Sequence, residues 1–194
     1  MDKSALIVLD VQNGIVEHLK AILDETQYLD RLAATIAAAR AAQIPVIQVT
    51  VALREGYADA SPRNKMFAGA RESGGFRETQ ASTQLHPRVL AAHEQLHDPP
   101  IQVRKRRVSA LCGTDLEVVL RSLGAGALVV AGISTSGAVL STVRQAADLD
   151  YGLTVLADLC ADQDPEVHDV LLRSVFPKQA TVLSAAEWME TLRK

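Results

Sequence analysis

"ALVVAGISTSGAVLSTVRQAADLDYGLTVLAD", Ala127 to Asp158, is the stretch whose reading decides the fold. It opens on an apolar run of strand length, Ala127–Ile133, passes into an amphipathic helix over Thr135–Asp150, and returns to a second apolar run, Leu153–Asp158. Both runs are continuous rather than alternating, the pattern of strands buried on both faces of a parallel sheet. Between strand and helix sits a cluster of small residues: Gly132, Ser134, Ser136, Gly137 and Ala138. Small side chains there let a ligand approach the first N–H groups of the helix, which are unpaired and partly positive.

The same rhythm extends in both directions. Ala5–Asp10 reads as a buried strand. A helical face follows in Leu29, Leu32, Ala33, Ile36 and Ala39, and Ile44–Val51 is a second strand with Pro45 at its start, where a missing N–H is tolerated. Ile101–Lys105 is a weaker third strand. It leads to a short helix capped by Thr114 and ended by Gly124. Beyond the opening stretch come a helix over Pro165–Val175, a sixth strand Ala180–Leu183, and a closing helix with Ser184 as its N-cap. Strand–helix alternation throughout predicts one three-layer α/β/α domain over residues 1–194, with a six-stranded parallel, Rossmann-like sheet. Residues 53–85 break the rhythm, with no sustained period and many turn formers. A segment of that length inside a compact domain is expected to be a lid, a binding loop or an oligomer contact. Met66, Phe67 and Phe76 within it argue against disorder.

Composition narrows the function. The chain has 194 residues, 48% hydrophobic and 22% charged, which suits a globular protein with a full core. A net charge of -3 offers no general attraction to nucleic acid or anionic membrane, and Arg104–Arg107 reads as a solvated charge run. The apolar start is too short for a signal segment, and no run reaches transmembrane length, so a soluble, cytoplasmic protein is expected. The two cysteines, Cys112 and Cys160, make neither a disulfide framework nor a metal-ligand spacing. Of the five histidines, His18, His86, His93, His97 and His168, only His93 and His97 are four apart, on a helix expected to be exposed. No cofactor is expected: no metal-ligand set is visible, and "DVQNG" after the first strand lacks a Gly-rich phosphate fingerprint.

In open parallel sheets, ligands bind at the carboxyl ends of the strands. Those ends offer Asp10 with Gln12 and Asn13, then Arg54, Lys105, the 134–138 cluster, and Asp158 with Asp162 and Asp164. Taken singly each has a structural reading, as a cap, a charge-run member, a surface residue or a packing residue. Asp158 through Asp164 read as capping and turn residues before Pro165.

Together, "ALIVLDVQNGIV", "VRKRRVSALCGTDLEVVL", "LVVAGISTSGAVLSTVRQAADLDYGLTVLADLCAD" and "VFPKQATVLSAAEW" resemble the isochorismatase-like hydrolase family, which holds nicotinamidases, other amidohydrolases and isochorismatases. The resemblance covers nearly the whole chain in order. It implies a six-stranded parallel sheet between helices, a small-molecule substrate and a homodimer or homotetramer. The family's amidohydrolases use an Asp, a Lys and a Cys. Asp10 matches the Asp and Lys105 matches the Lys, with Leu111 at a position that is usually aromatic. The cysteine position is occupied by Ala138. Ser136 is offset by two residues from that position. The zinc-binding branch of the family carries histidines after the second strand, and "VALREGYADASP" has none.

Three accounts of the alanine follow. In the first, the protein is a cysteine-independent hydrolase like the true isochorismatases, with Asp10 as general acid/base, a water as nucleophile, and Lys105 mainly donating to a substrate oxygen. The backbone N–H groups near Gly137 and Ala138 would hold developing negative charge. The substrate would be a small, carboxylated ether, ester or amide, with Arg54 and Lys65 as candidates for the carboxylate. Gln12, Arg54, Phe67, Ser134, Thr135, Ser136 and Gly137 would line the pocket. In the second account, the alanine replaces the cysteine of an amidohydrolase in which Asp10 is the base. In the third, the protein binds a small molecule, or oligomerises, without catalysis.

Overall fold

The computed structural model describes residues 3–96 and 99–193. Six strands, β1 (Lys3–Leu9), β2 (Val46–Val51), β3 (Ile101–Lys105), β4 (Ala125–Ile133), β5 (Gly152–Ala161) and β6 (Thr181–Leu183), form one parallel sheet in the order β3-β2-β1-β4-β5-β6. Chain order reverses between β1 and β4. In an open α/β sheet this switch point leaves a crevice beyond the strand ends, where ligands bind.

The expected three layers are present. Along β1, Ala5, Ile7 and Leu9 point to one face and Leu6 and Val8 to the other, as the two-residue period of a strand requires. The first face packs against α6 (Leu116–Leu123) and α7 (Leu140–Asp148), through Leu116, Leu120, Val143 and Ala146. On the second face lie the earlier helices α1 (Asn13–His18), α2 (Lys20–Glu25), α3 (Tyr28–Ala41) and α5 (Pro87–Glu94), together with the closing α9 (Ala185–Thr191). Leu32, Ile36, Val89 and Trp188 anchor that layer. Two further helices, α4 (Lys65–Glu72) and α8 (Pro165–Val170), lie nearer the strand ends.

Local chemistry sets the helix ends. Ser184 and Glu187 form a capping box at the start of α9. Asp164 accepts from the N–H groups of Glu166 and Val167 at the start of α8. Gly124 closes α6 in the left-handed conformation (φ 68°). Thr114 is not the N-cap of α6, which begins after Asp115; its hydroxyl instead accepts the Leu116 N–H and donates to Ala110 O.

Two differences in extent from the sequence reading bear on the strand ends. β5 continues past Asp158 to Ala161, because Leu159, Cys160 and Ala161 prolong its buried run. Asp158 therefore lies inside the strand, where it accepts the Ala185 N–H at 2.7 Å and pairs with Arg31 at 3.3 Å. The helix expected over Thr135–Asp150 starts with one wide turn, Thr135–Val139, before α7 proper.

Residues 53–85 are ordered into α4 and two single turns, Glu55–Tyr57 and Ala81–Thr83. Phe67 is buried with Val51, Leu53 and Ala60, which fixes α4 against the end of β2. Ion pairs fasten the same segment to β3: Asp59 with Arg106 at 2.7 Å, and Glu78 with Arg106 at 3.0 Å and Arg104 at 3.7 Å. Arg104 and Arg106 thus belong to a network rather than to a free charge run.

Candidate active site

The end of β1 delivers Asp10 in a left-handed backbone conformation (φ 56°), uncommon outside glycine, asparagine and aspartate, and recurrent at functional sites. The end of β3 delivers Lys105. The ammonium Nζ lies 2.8 Å from Asp10 Oδ2, and both side chains are almost wholly buried. Lys105 also donates to Val108 O at 2.9 Å and Arg107 O at 3.3 Å, so each of its three protons has an acceptor. It is therefore not the uncommitted donor to a substrate oxygen expected from sequence. Asp10 Oδ1, by contrast, has no hydrogen-bond partner among the described residues. Burial pushes the Asp10 carboxyl above its ordinary value and outweighs the Lys105 charge beside it.

The end of β4 supplies the turn. Gly132 (φ 137°) lies against Leu9, and a Cβ there would stand 2.2 Å from Leu9 O. The Ile133–Ser134 peptide is cis. The wide turn then sets Ser134, Ser136, Gly137 and Ala138 along one wall of a cavity of about 730 Å³, with Asp10 and Lys105 also lining it. Asp162, at the true end of β5, holds this turn: its carboxylate accepts the Ser136 N–H at 2.7 Å and the Asp164 N–H at 3.3 Å. The Gly137 N–H lies 3.2 Å from Ser134 O, which leaves it less available than expected.

The opposite wall is apolar. Ile15 and Leu19 from the α1 region face Met66, Phe67 and Ala70 from α4, with Phe76 beside them. Residues 53–85 therefore contribute a wall of the cavity.

Comparison with known proteins now places the chain. The isochorismatase domain family matches residues 4–187. This chain belongs to that family. It is 31% identical to the uncharacterized isochorismatase family protein YecD of Escherichia coli, over 97% of this chain and 96% of that one. It is also 31% identical to the ureidoacrylate amidohydrolase RutB of Methylobacterium radiotolerans, over 88% of this chain and 72% of that one. Among solved structures, a cysteine hydrolase from Pseudomonas syringae pv. phaseolicola superposes with a TM-score of 0.87 at 20% identity, covering 98% of this chain and 92% of that one, a likeness of fold.

Within this isochorismatase-family fold, the other expected site residues fall into two groups. Phe67, Ser134, Ser136, Gly137 and Ala138 line the cavity with Asp10 and Lys105. Gln12, Arg54 and Thr135 do not. The Gln12 side chain is fully buried, and its amide bonds to Val51 O, Val51 N and Thr83 O. Arg54 pairs with Asp59 at 3.2 Å, and Thr135 Oγ1 lies 2.8 Å from His168 Nδ1. Lys65 is likewise outside the lining. Neither cation nominated for a substrate carboxylate reaches the cavity, so that substrate expectation loses its support.

The histidines also need correction. His93 is buried, with Nε2 3.1 Å from Gln48 Nε2, rather than on an exposed surface; His97 lies outside the described residues. His86 caps α5 by accepting the Arg88 N–H. His18 lines the cavity mouth, 3.5 Å from Gln163. Sequence reasoning missed Asp162, Gln163, His18, Met66 and Phe76 as lining residues. The signal for Asp162 was present: the apolar residues after Asp158 move the strand end to Ala161.

Proposed function

We propose that this chain hydrolyses an ether, ester or amide bond of a small molecule without a thiol nucleophile. Asp10 is the general acid/base. The observation that carries this reading is the buried Asp10 carboxyl, with one oxygen held by Lys105, the other unpartnered, and its pKa raised by burial. A raised pKa suits a carboxyl that must still hold a proton to donate.

On an enol ether, Asp10 gives its proton to the vinyl carbon and leaves an oxocarbenium ion. Water adds to that ion, its proton returns to the Asp10 carboxylate, and the hemiketal opens to a carbonyl compound and an alcohol. Lys105 holds Asp10 in position through all of these steps. On an ester or amide, we assign the Ala138 amide, in the first turn of its helix, to the negative charge that develops on the carbonyl oxygen as water adds.

A cytoplasmic homodimer or homotetramer accompanies this reading. The unpaired cysteines Cys112 and Cys160 fit a reducing compartment, and exposed Val118, Val167 and Val170 fit a subunit contact away from the cavity. Light scattering after gel filtration tests the copy number.

The activity test compares the chain, its Asp10→Asn variant and its Ala138→Cys variant on one panel of small amides, esters and enol ethers. Turnover by the chain as it stands, abolished by Asp10→Asn, is expected. Turnover by the Ala138→Cys variant alone, on an amide, would make the alanine the reason a cysteine amidohydrolase is silent. No turnover by any of them would leave a small-molecule binding protein.

A further inference from the structure

We infer that the cavity takes an uncharged ligand with a substantial apolar group, the carbonyl or ether end on Asp10 and the apolar end between α1 and α4. This rests on the reading of Asp10 as the reacting end, but it is carried by the opposite wall. Met66 and Phe76 are 62% and 39% exposed, large apolar side chains left uncovered by the fold, and both line the cavity. Uncovered apolar surface of this kind, inside a concavity rather than scattered, is what a ligand's apolar part buries.

Charge points the same way. Lys105 is the one lysine or arginine among the described lining residues, and its protons are already taken by Asp10 and two backbone carbonyls. Two carboxylates, Asp10 and Asp162, share the lining. A ligand carboxylate would meet no free lysine or arginine there, only His18 at the mouth, and would lose its hydration deeper in. The volume of about 730 Å³ lies in the range of sites for drug-sized ligands, and the flexible thioether of Met66 beside Phe67 and Phe76 suits an aromatic ring.

The probes are ketones and an acid that the proposed reaction cannot consume. Benzylacetone (an uncharged carbonyl with a phenyl tail), butanone (the same end without the ring) and hydrocinnamate (the ring with a carboxylate) are titrated into the intact protein, with NMR chemical shifts as readout. Burial of a phenyl group predicts benzylacetone tighter than butanone by about 10-fold or more. Hydrocinnamate is expected to bind more weakly than benzylacetone. Met66→Ser combined with Phe76→Ser should remove most of the preference for the ring, and Arg54→Ala should leave it intact. Both altered side chains are exposed, so folding is expected to survive, and circular dichroism checks it. Equal affinity for benzylacetone and butanone, or tighter binding of hydrocinnamate, would overturn the inference. The same holds if light scattering shows the double variant dissociating an oligomer while ring preference stays unchanged, since a second copy would then cover these residues. Because none of the probes turns over, failure here is distinct from failure of the hydrolytic reading.

Discussion

Lys105 Nζ stands 2.8 Å from Asp10 Oδ2 although the two residues come from strands separated by β2, and both side chains are almost wholly buried at the cavity. The ammonium is fully satisfied while the carboxylate is not, so the pair is lopsided: the lysine is fixed and the aspartate keeps one oxygen for chemistry.

This asymmetry sets a pH dependence. Burial raises the Asp10 pKa above 3.8, so the folded chain holds that proton more tightly than the unfolded chain. Asp10 therefore favours folding most at acid pH, and the contribution declines as pH rises from 3.8 through the raised folded value. Turnover that uses protonated Asp10 should be high on the acid side and fall as pH rises through the raised folded value. Asp10→Asn should lower turnover by about 100-fold or more and erase that limb of the profile. A limb that persists in the variant would belong to another group.

Ala138→Cys should fold as the parent does and present a reactive thiol to the cavity. Cys112 is exposed, whereas Cys160 is buried with its thiol pushed up to about 12, where it stays protonated and inert. Native iodoacetamide treatment followed by mass spectrometry should add one label to the parent and two to the variant. One label on both would mean that position 138 does not open to the cavity.

Gln12→Leu should damage stability rather than binding. Its amide makes three buried hydrogen bonds, of 2.6, 2.8 and 2.9 Å, that join the start of α1 to β2 and the Ala81–Thr83 turn. Removing it leaves backbone groups unpaired, with an expected loss of about 2–3 kcal/mol in urea unfolding. Benzylacetone affinity of the folded protein should be unchanged. A selective loss of affinity at full stability would restore Gln12 to the binding surface.

Two glycines make an internal control. Gly132→Ala places a Cβ against Leu9 at a backbone angle that L-residues rarely adopt, and a loss of about 3 kcal/mol or more, or insolubility, is expected. Gly69, inside α4, has open space at its Cβ position, so Gly69→Ala should stabilise by about 0.5–1 kcal/mol. Thermal melts of both variants check the pair.

The parallel sheet was legible because most of its strands are continuous apolar runs; Asp10 and Lys105 stood at strand ends with several other residues, and the family resemblance singled them out. The small-residue turn was legible for a related reason, since a helix starting on Thr135-Ser136-Gly137-Ala138 leaves room for a ligand. Arg54 and Gln12 were misread because strand ends give position along the chain but not direction. Asp59 draws Arg54 aside, and the turn at Ala81–Thr83 takes up Gln12. Asp162 is the capping and turn residue that the sequence suggested, but its place on the cavity was missed because Asp158 looked like the end of an apolar strand. The apolar wall had no periodic signal at all. α4 is short, and what fixes it is the contact of Phe67 with residues from other parts of the chain.

That wall has an evolutionary meaning. The reacting pair is itself buried at the ends of sheet strands, where few substitutions are tolerated. Much of the face that would meet the rest of the ligand is built from the segment between β2 and β3, fastened by Phe67 and a few ion pairs through Asp59 and Glu78. Such a segment can be exchanged without disturbing the strands. Descendants of this fold can therefore change what they recognise by rewriting some thirty residues, and keep the chemistry they inherited.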